Sequence, residues 1–244
     1  MEAIILGCGE AFDETLPNTS LLVKSSVLLL LDCGFSAASQ VWQAAPDPSA
    51  IDLIYLSHAH ADHYFGMPGL LGRMWEEGRT KPLQIVSQAS VLDQLRHALE
   101  LGYRGMPERY RFPIDYRPAN AGDTLEFADV AMDFAETEHS ASNLAIRIAS
   151  GGKSICYSGD GSLTDSSRQL FAGTDLLIHE AYTIDQRKFH ADIPSLLPIA
   201  GQVRSLGLVH IQRRLRAEPS RILEIIKPTA GCITMPEPMT HFQV

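Results

Sequence analysis

The stretch LSHAHADHYFG, residues 56–66, places four side chains that bind metals or transfer protons within six positions. They are His58, His60, Asp62 and His63, and they follow directly on the apolar run IDLIYLS. An apolar run of this length that ends in polar residues is typical of a buried strand that emerges into a loop. This stretch therefore predicts a polar site at the end of a strand.

The spacing within the cluster predicts two directions of approach to metal ions. Residues two apart in an extended segment point the same way, so His58 and His60 can reach one cation from one side. Asp62 and His63 lie where the chain turns toward a helix predicted in HYFGMPGLLGRMWEEG, and they face another direction. Imidazole and carboxylate suit zinc, iron or manganese, and the cluster contains no thiolate that would decide among them. One loop can serve two neighbouring metals, but it cannot complete their coordination.

Further ligands are available at the ends of later apolar runs. His139 lies in AETEHSASNLAIRI, Asp160 in ICYSGDG and His210 in LGLVHIQRR. A carboxylate such as Asp160 can bridge two cations through its two oxygens. Together with the first cluster these residues form a set of five histidines and two aspartates: His58, His60, Asp62, His63, His139, Asp160 and His210.

The order of apolar runs predicts the fold class. Strand-length runs recur along the 244 residues, with helical patterns between them. The segment SQASVLDQLRHALELG places Val91 and Leu95 on one face, and EPSRILEIIKP has Pro219 in its first turn and Pro228 beyond its last. The chain is expected to begin strand-rich, to return to strands in the middle and to finish with helices. This order favours an α/β protein with a single domain over residues 1–244, built from mixed sheets covered by helices.

Composition and charge favour a globular protein, with 45% hydrophobic and 20% charged residues. The formal net charge of -9 argues against broad attraction to polyanions. The cysteines Cys8, Cys33, Cys156 and Cys232 form no C-x-x-C pair, which favours buried free thiols in a reducing compartment. The start of the chain lacks a secretion signal and VLLLLDCGF is too short to span a bilayer, so we expect a cytoplasmic protein with no membrane partner.

The pattern H-x-H-x-D-H after an apolar strand, followed in order by the three later ligands, resembles the metallo-β-lactamase superfamily. The resemblance implies a four-layer αβ/βα sandwich with two divalent metal ions at one edge, Zn²⁺ being favoured over Mn²⁺ and iron. The implied reaction is two-metal hydrolysis by a hydroxide that bridges the metals, which Asp62 would also orient or deprotonate. It assigns His58, His60 and His139 to the first metal, Asp62, His63 and His210 to the second, and Asp160 to both.

A finer resemblance, to ribonuclease Z and its phosphodiesterase relatives, covers nearly the whole chain through segments such as ILGCGEAF, LLLLDCG, EHSASNLAIRI, YSGDG and LLIHEAYT. In that branch the glutamate of an H-E-A-T-like segment and a histidine after it assist proton transfer to the leaving group. The matching residues are Glu180 in HEAY and His190 in FHAD. Such a pair favours phosphodiester substrates over lactones and thioesters.

Departures from ribonuclease Z narrow the expected substrate. Tyr182 stands where the H-E-A-T segment has threonine, and Ala191 and Asp192 stand where Ser-Thr is usual. The short interval between His139 and Asp160 leaves no room for the long arm with which ribonuclease Z grips transfer RNA. We therefore expect an arm-less relative that acts on a small or nucleotide phosphodiester, with RNA less favoured. The resemblance is also compatible with a homodimer.

Other readings of the sequence stay open. The same metals would serve a lactone or thioester hydrolase or a tRNA 3′-processing endonuclease, and a non-catalytic metal-binding module is a third alternative that the intact ligand set argues against. Residues 101–123 are irregular and rich in Arg, Tyr, Pro and Gly, which is typical of a functional loop such as a substrate lid. A basic stretch around His210 is either a solvated helical face or a phosphate-binding strip; it contains Arg204, Arg213, Arg214, Arg216 and Arg221.

Overall fold

The structure is a computed structural model that describes residues 1–229 and 231–244 and contains two seven-stranded mixed β-sheets. The first sheet consists of β1 (Glu2–Gly7), β2 (Ser20–Lys24), β3 (Leu28–Leu31), β4 (Leu53–Tyr55), β5 (Leu83–Ser87), β6 (Ile114–Pro118) and β14 (His241–Gln243). Its order is β14-β1-β2-β3-β4-β5-β6. Strands β3 to β6 run parallel, whereas the pairs on the other side of β3 are antiparallel.

The second sheet mirrors this arrangement. It consists of β7 (Thr124–Phe127), β8 (Val130–Thr137), β9 (Asn143–Ser150), β10 (Lys153–Tyr157), β11 (Leu176–Glu180), β12 (Leu206–Val209) and β13 (Ile233–Thr234). Its order is β13-β12-β11-β10-β9-β8-β7. Strands β10 to β13 are parallel, and β8 and β10 also point the same way because both are antiparallel to β9. Strands β8, β10, β11 and β12 therefore end at one edge of this sheet.

The helices cover the outer faces of the sheets. They are α1 (Ala38–Ala44), α2 (Ala61–Tyr64), α3 (Met67–Glu76), α4 (Ala89–Gly102), α5 (Asp165–Phe171), α6 (Ile193–Ala200), α7 (Arg213–Arg216) and α8 (Pro219–Ile226). One apolar cluster joins the first sheet to α1, α3 and α4, and another joins the second sheet to α6 and α8. A third lies between the sheets, where Tyr55 of β4 donates a hydrogen bond of 2.6 Å to the Leu144 carbonyl of β9. This layering confirms the predicted αβ/βα sandwich.

Two predicted elements differ from the structure. The chain does not finish with helices, because β14 pairs with β1 through Glu2 and Gln243. Three residues of mixed polarity are too short to show a strand period. The helix predicted from His63 onward is interrupted between α2 and α3, where the Gly66 amide donates to the Cys33 carbonyl at 2.9 Å. A Cβ on Gly66 would lie 2.3 Å from the Gly34 carbonyl oxygen, so this crossing requires glycine.

The segment of residues 101–123 is more regular than predicted. It comprises the end of α4, a 3₁₀ turn at Pro107–Arg109 and the edge strand β6. The Trp75 indole of α3 donates to the Arg109 carbonyl at 2.8 Å and ties the turn to α3. A role as substrate lid stays a prediction. None of the helices in the described part of the chain meets the length and hydropathy of a membrane span, and α4 has 14 residues.

Candidate metal centre

The seven predicted ligands meet at the edge of the sandwich where strands of both sheets end. His58 follows β4, Asp160 follows β10 and His210 follows β12. Carboxyl ends of parallel strands collect polar side chains because the chain leaves the apolar core there and turns into loops. The predicted ligands form two sets, and within each set the ligand atoms lie within 4.8 Å of one another.

The first set consists of His58, His60, His139 and Asp160. The Nδ1 atom of His60 lies 3.0 Å from Nε2 of His58 and 3.1 Å from Nε2 of His139. Burial, together with the neighbouring His63, lowers the pKa of His58 well below its usual value, so this imidazole is neutral. Neutral imidazoles with converging nitrogens are suited to share one metal cation.

The second set consists of Asp62, His63, Asp160 and His210. Nε2 of His63 lies 3.2 Å from Asp62 Oδ2 and 3.4 Å from Asp160 Oδ1. Nε2 of His210 lies 3.2 Å from Asp62 Oδ2 and 3.5 Å from Asp160 Oδ2. Asp160 belongs to both sets, so it occupies the position that a bridging carboxylate requires.

Buried atoms without partners indicate that these residues fit a metal. Nε2 of His63 and Oδ1 of Asp160 are buried and have no hydrogen-bond partner among the described residues. Nδ1 of His63 lies 2.7 Å from Asp32, so Nε2, which faces the other carboxylates, is the nitrogen left for a metal or a proton. Buried polar atoms without partners are costly, and a divalent cation between them would remove the cost. Each set has four nitrogen or oxygen donors, the number that tetrahedral zinc coordination requires.

The carboxylates also favour protons on the imidazoles of the second set, where a metal would bind. Burial alone would lower the pKa of His63, but Asp160, Asp62 and Asp32 together raise it well above its usual value. The same balance, dominated by Asp160, raises the pKa of His210 to about 9. Metal binding at these imidazoles would therefore displace protons. The metal affinity of the second set is expected to fall as the pH is lowered through the pKa of His210, about 9.

Glu180 and His190, which the resemblance implied for proton transfer, lie beside the second set. Glu180 ends β11 and is fully buried, and its Oε1 forms a hydrogen bond with Nδ1 of His190. The Gly161 amide donates to the other carboxylate oxygen. Burial, aided by the charge of Asp160, raises the pKa of Glu180 well above its usual value. The His190 side chain is 28% exposed, and its Nε2 has no hydrogen-bond partner among the described residues.

The loop that carries His190 also holds a predicted metal ligand. Nδ1 of His139 donates to the Phe189 carbonyl at 2.7 Å, which fixes the ring so that Nε2 faces His60. On the other side the ring of Tyr182 stacks on His190 with centroids 4.4 Å apart. Tyr182, which stands where ribonuclease Z has threonine, therefore packs against the His190 imidazole.

Asp32 is a functional candidate that the sequence reasoning missed. It follows β3, is fully buried and adopts a left-handed backbone with φ 57°. Its carboxylate accepts four hydrogen bonds of 2.7 Å, from the Ser57 amide and hydroxyl, the Tyr157 hydroxyl and Nδ1 of His63. The segment LLLLDCG contains the signal, a carboxylate directly after an apolar strand, but such a residue is also typical of a turn.

Replacing Asp32 with asparagine is expected to weaken metal binding by about 10- to 100-fold, the usual effect of losing a carboxylate that orients a ligating histidine. The amide keeps the size but removes the charge that fixes the His63 tautomer. Zinc affinity is measured by competition with a chromophoric chelator. Asp129→Asn is the matched control, because Asp129 is an exposed carboxylate that also accepts two serine hydroxyl groups. Equal zinc affinity in the two variants would contradict the role of Asp32.

The basic stretch around His210 is largely paired. Arg213 contacts Glu10 at 2.5 Å and Arg216 contacts Glu237 at 2.9 Å. Arg221 lies 3.1 Å from Glu218. These pairs favour the structural alternative over a phosphate-binding strip.

Two mixed sheets with clustered His and Asp side chains at their common edge form a metallo-β-lactamase fold. Together with the similarity to ribonuclease Z sequences, they define the class of metal-dependent hydrolases. Within that class, residues 1–220 match the family model described as Anti-Pycsar protein Apyc1, and the chain belongs to that family.

Similar proteins cover almost the whole chain. A ribonuclease Z from Methanosarcina acetivorans is 24% identical over 286 residues, which cover 93% of this chain and 92% of the relative. The metallo-β-lactamase fold protein YhfI from Bacillus subtilis has a TM-score of 0.83 at 22% identity and covers 99% of both chains. Human tRNase Z, short form, has a TM-score of 0.80 at 20% identity, over 100% of this chain and 99% of the other. These findings confirm the predicted superfamily, its ribonuclease Z-like branch and the fold.

Proposed function

We propose that this protein is a dinuclear phosphodiesterase that hydrolyses small or nucleotide phosphodiesters. The position of Asp160 is the observation that carries the proposal. Its Oδ1 lies 3.4 Å from His63 Nε2, and its Oδ2 lies 3.9 Å from both His58 Nε2 and His139 Nε2. One carboxylate that reaches two ligand sets is suited to hold two divalent metals side by side, with Zn²⁺ favoured by the nitrogen-rich donors.

Metal ions in the two sets would supply Lewis acidity, lower the pKa of a water molecule and neutralise charge on the phosphoryl oxygens. The chain's own residues position the reaction. His58, His60 and His139 would hold one ion, and Asp62, His63 and His210 the other. Asp62 has its Oδ2 between two imidazoles, at 3.2 Å from each, where it can also orient the attacking water.

Glu180 and His190 together provide a proton for the leaving oxygen. Because burial raises the pKa of Glu180, the pair retains one proton in the hydrogen bond between Oε1 and Nδ1. When Nε2 of His190 donates its proton to the leaving oxygen, Nδ1 keeps the shared proton and Glu180 becomes the carboxylate that stabilises it. A general acid matters most when the leaving group is a poorly stabilised alkoxide, as in nucleotide diesters.

The connection between His139 and Asp160 supports a small substrate. Strands β9 and β10 occupy this interval and are joined by a turn at Gly151 and Gly152. Within the described residues this connection contains no projecting arm that could hold a folded RNA. Precursor-tRNA processing is the second candidate function, because the chain is similar to a ribonuclease Z. The homodimer stays a prediction.

A substrate panel tests the proposal. We expect the metal-loaded protein to cleave bis-p-nitrophenyl phosphate, a dinucleotide and a 3′,5′-cyclic mononucleotide, and to leave a lactone and a thioester intact. A chelator should abolish the activity, and added Zn²⁺ or Mn²⁺ should restore it. Hydrolysis of the lactone alone would refute the proposal, and cleavage of precursor tRNA alone would favour the endonuclease. A fully metal-loaded protein that cleaves none of these substrates would favour the non-catalytic alternative.

A further inference from the structure

A polar cavity lies beside the loop that carries His190. Its volume is about 410 Å³, and we call it the arginine recess because Arg168 and Arg187 line it together with Lys188. Two of its lining residues are joined through the backbone. The Glu138 amide donates to the Ser162 carbonyl at 3.0 Å, and the Ser162 amide donates to the Glu138 carbonyl at 2.9 Å. The predicted metal ligands do not line this recess. It is therefore separate from the metal centre.

Arg168 is the unusual residue of the recess. Five arginines among the described residues are buried or partly buried, namely Arg79, Arg147, Arg168, Arg213 and Arg216. Four of them bond to carbonyl, hydroxyl or carboxylate oxygens. Arg168 has no side-chain hydrogen bond or ion pair with a described residue. A guanidinium presents five N–H donors, so a partly buried arginine in a cavity offers an unfilled site for a multivalent acceptor.

The other charges of the recess favour an anion. Arg187 and Lys188 have no ion pair within 4.0 Å among the described residues, although Lys188 lies over the ring of Phe189 at 4.7 Å. The carboxylates that also line the recess are Glu138 and Asp192. Glu138 is exposed, and Asp192 accepts a hydrogen bond of 2.9 Å from the Ser195 amide at the start of α6. The three cations thus outnumber the two carboxylates, in a chain whose formal net charge is -9.

We propose that the arginine recess binds a phosphate group, with Arg168 as its principal ligand. Tetrahedral oxyanions match the planar fork of a guanidinium and are bound more strongly where several cations converge. The recess adjoins the catalytic loop, because the Ser162 hydroxyl donates to the His190 carbonyl at 2.9 Å. The phosphate is either a free anion or a second phosphate of a substrate. Its binding does not depend on the proposed phosphodiesterase activity.

Calorimetric titration of inorganic phosphate into the metal-loaded protein tests the site. Phosphate bound by the metals is common to all variants, so differences between variants report on the recess. Arg168→Gln is expected to remove one bound phosphate, through an affinity loss of about tenfold or more. Arg204→Gln should bind phosphate as the wild type does, because Arg204 is 73% exposed and lies outside the recess. Equal stoichiometry and affinity in wild type and Arg168→Gln would overturn the proposal.

Metal content and the thermal unfolding midpoint establish that Arg168→Gln folds. If Arg168→Gln does not fold, the double variant Arg187→Gln/Lys188→Gln is titrated instead, because both side chains are exposed and their loss should not affect folding. It should likewise lose one bound phosphate, and unchanged phosphate binding would overturn the proposal. The source of the phosphate follows from kinetics with a 5′-phosphorylated dinucleotide and with bis-p-nitrophenyl phosphate. A substrate phosphate predicts that Arg168→Gln raises KM about tenfold for the dinucleotide alone. A free anion predicts unchanged KM for both substrates together with the lost phosphate binding.

Discussion

Replacing Asp160 with alanine is expected to remove both metals and to reduce phosphodiester hydrolysis by more than about 10³-fold. Asp160 is 2% exposed, and its oxygens lie within 4 Å of ligand nitrogens in both sets. Without it each set would lose one donor, and bound cations would lose the negative charge that Asp160 offers to both sets. Several kilocalories per mole of charge stabilisation are therefore lost at once.

Metal content is measured by elemental analysis after dialysis, and hydrolysis with bis-p-nitrophenyl phosphate. Asp115→Ala is the control, since Asp115 lies on the edge strand β6 with a 59% exposed side chain and takes part in neither ligand set. Asp160→Asn should retain one oxygen donor and fall between the alanine variant and the wild type. An Asp160→Ala protein with full zinc content and normal turnover would refute the bridging assignment.

The local pattern in residues 56–66 was enough to predict that its four polar side chains cluster at one edge of the sandwich. Alternation in an extended segment placed His58 and His60 together, and the turn after them directed His63 elsewhere. Both inferences depend only on neighbouring residues. His139 and His210 join the same clusters, because each follows an apolar run that is a strand in the structure.

Features that depend on distant contacts could not be predicted in this way. Asp32 looks like a turn residue until the fold brings Tyr157 and His63 to its carboxylate. Strand β14 exists because β1 offers an edge to pair with, rather than because HFQ favours a strand. Arg168 lies on an ordinary helix, α5, and only the packing of Ser162 and the 186–190 loop encloses it in a cavity.

Replacing His190 with alanine is expected to slow hydrolysis of a dinucleotide by about 10²- to 10⁴-fold while both metals stay bound. The reason lies in the leaving group. A nucleoside alkoxide needs a proton as the bond to phosphorus breaks, and in the proposed mechanism Nε2 of His190 would supply it. A p-nitrophenolate is stable as an anion, so the same variant should cleave bis-p-nitrophenyl phosphate at nearly the wild-type rate.

This difference between substrates separates an acid from a structural residue or a ligand. A structural role would slow both reactions alike, and a ligand would be revealed by metal loss, which is a real alternative because Asp160, Glu180 and His190 also converge. Glu180→Gln should show the same dependence on the leaving group with a smaller effect and an altered pH profile, since Glu180 assists the proton transfer through its hydrogen bond with His190. His97→Ala, on the exposed face of α4, should behave as the wild type. If His190→Ala slowed both substrates equally with its metals in place, the proton-transfer role would be wrong.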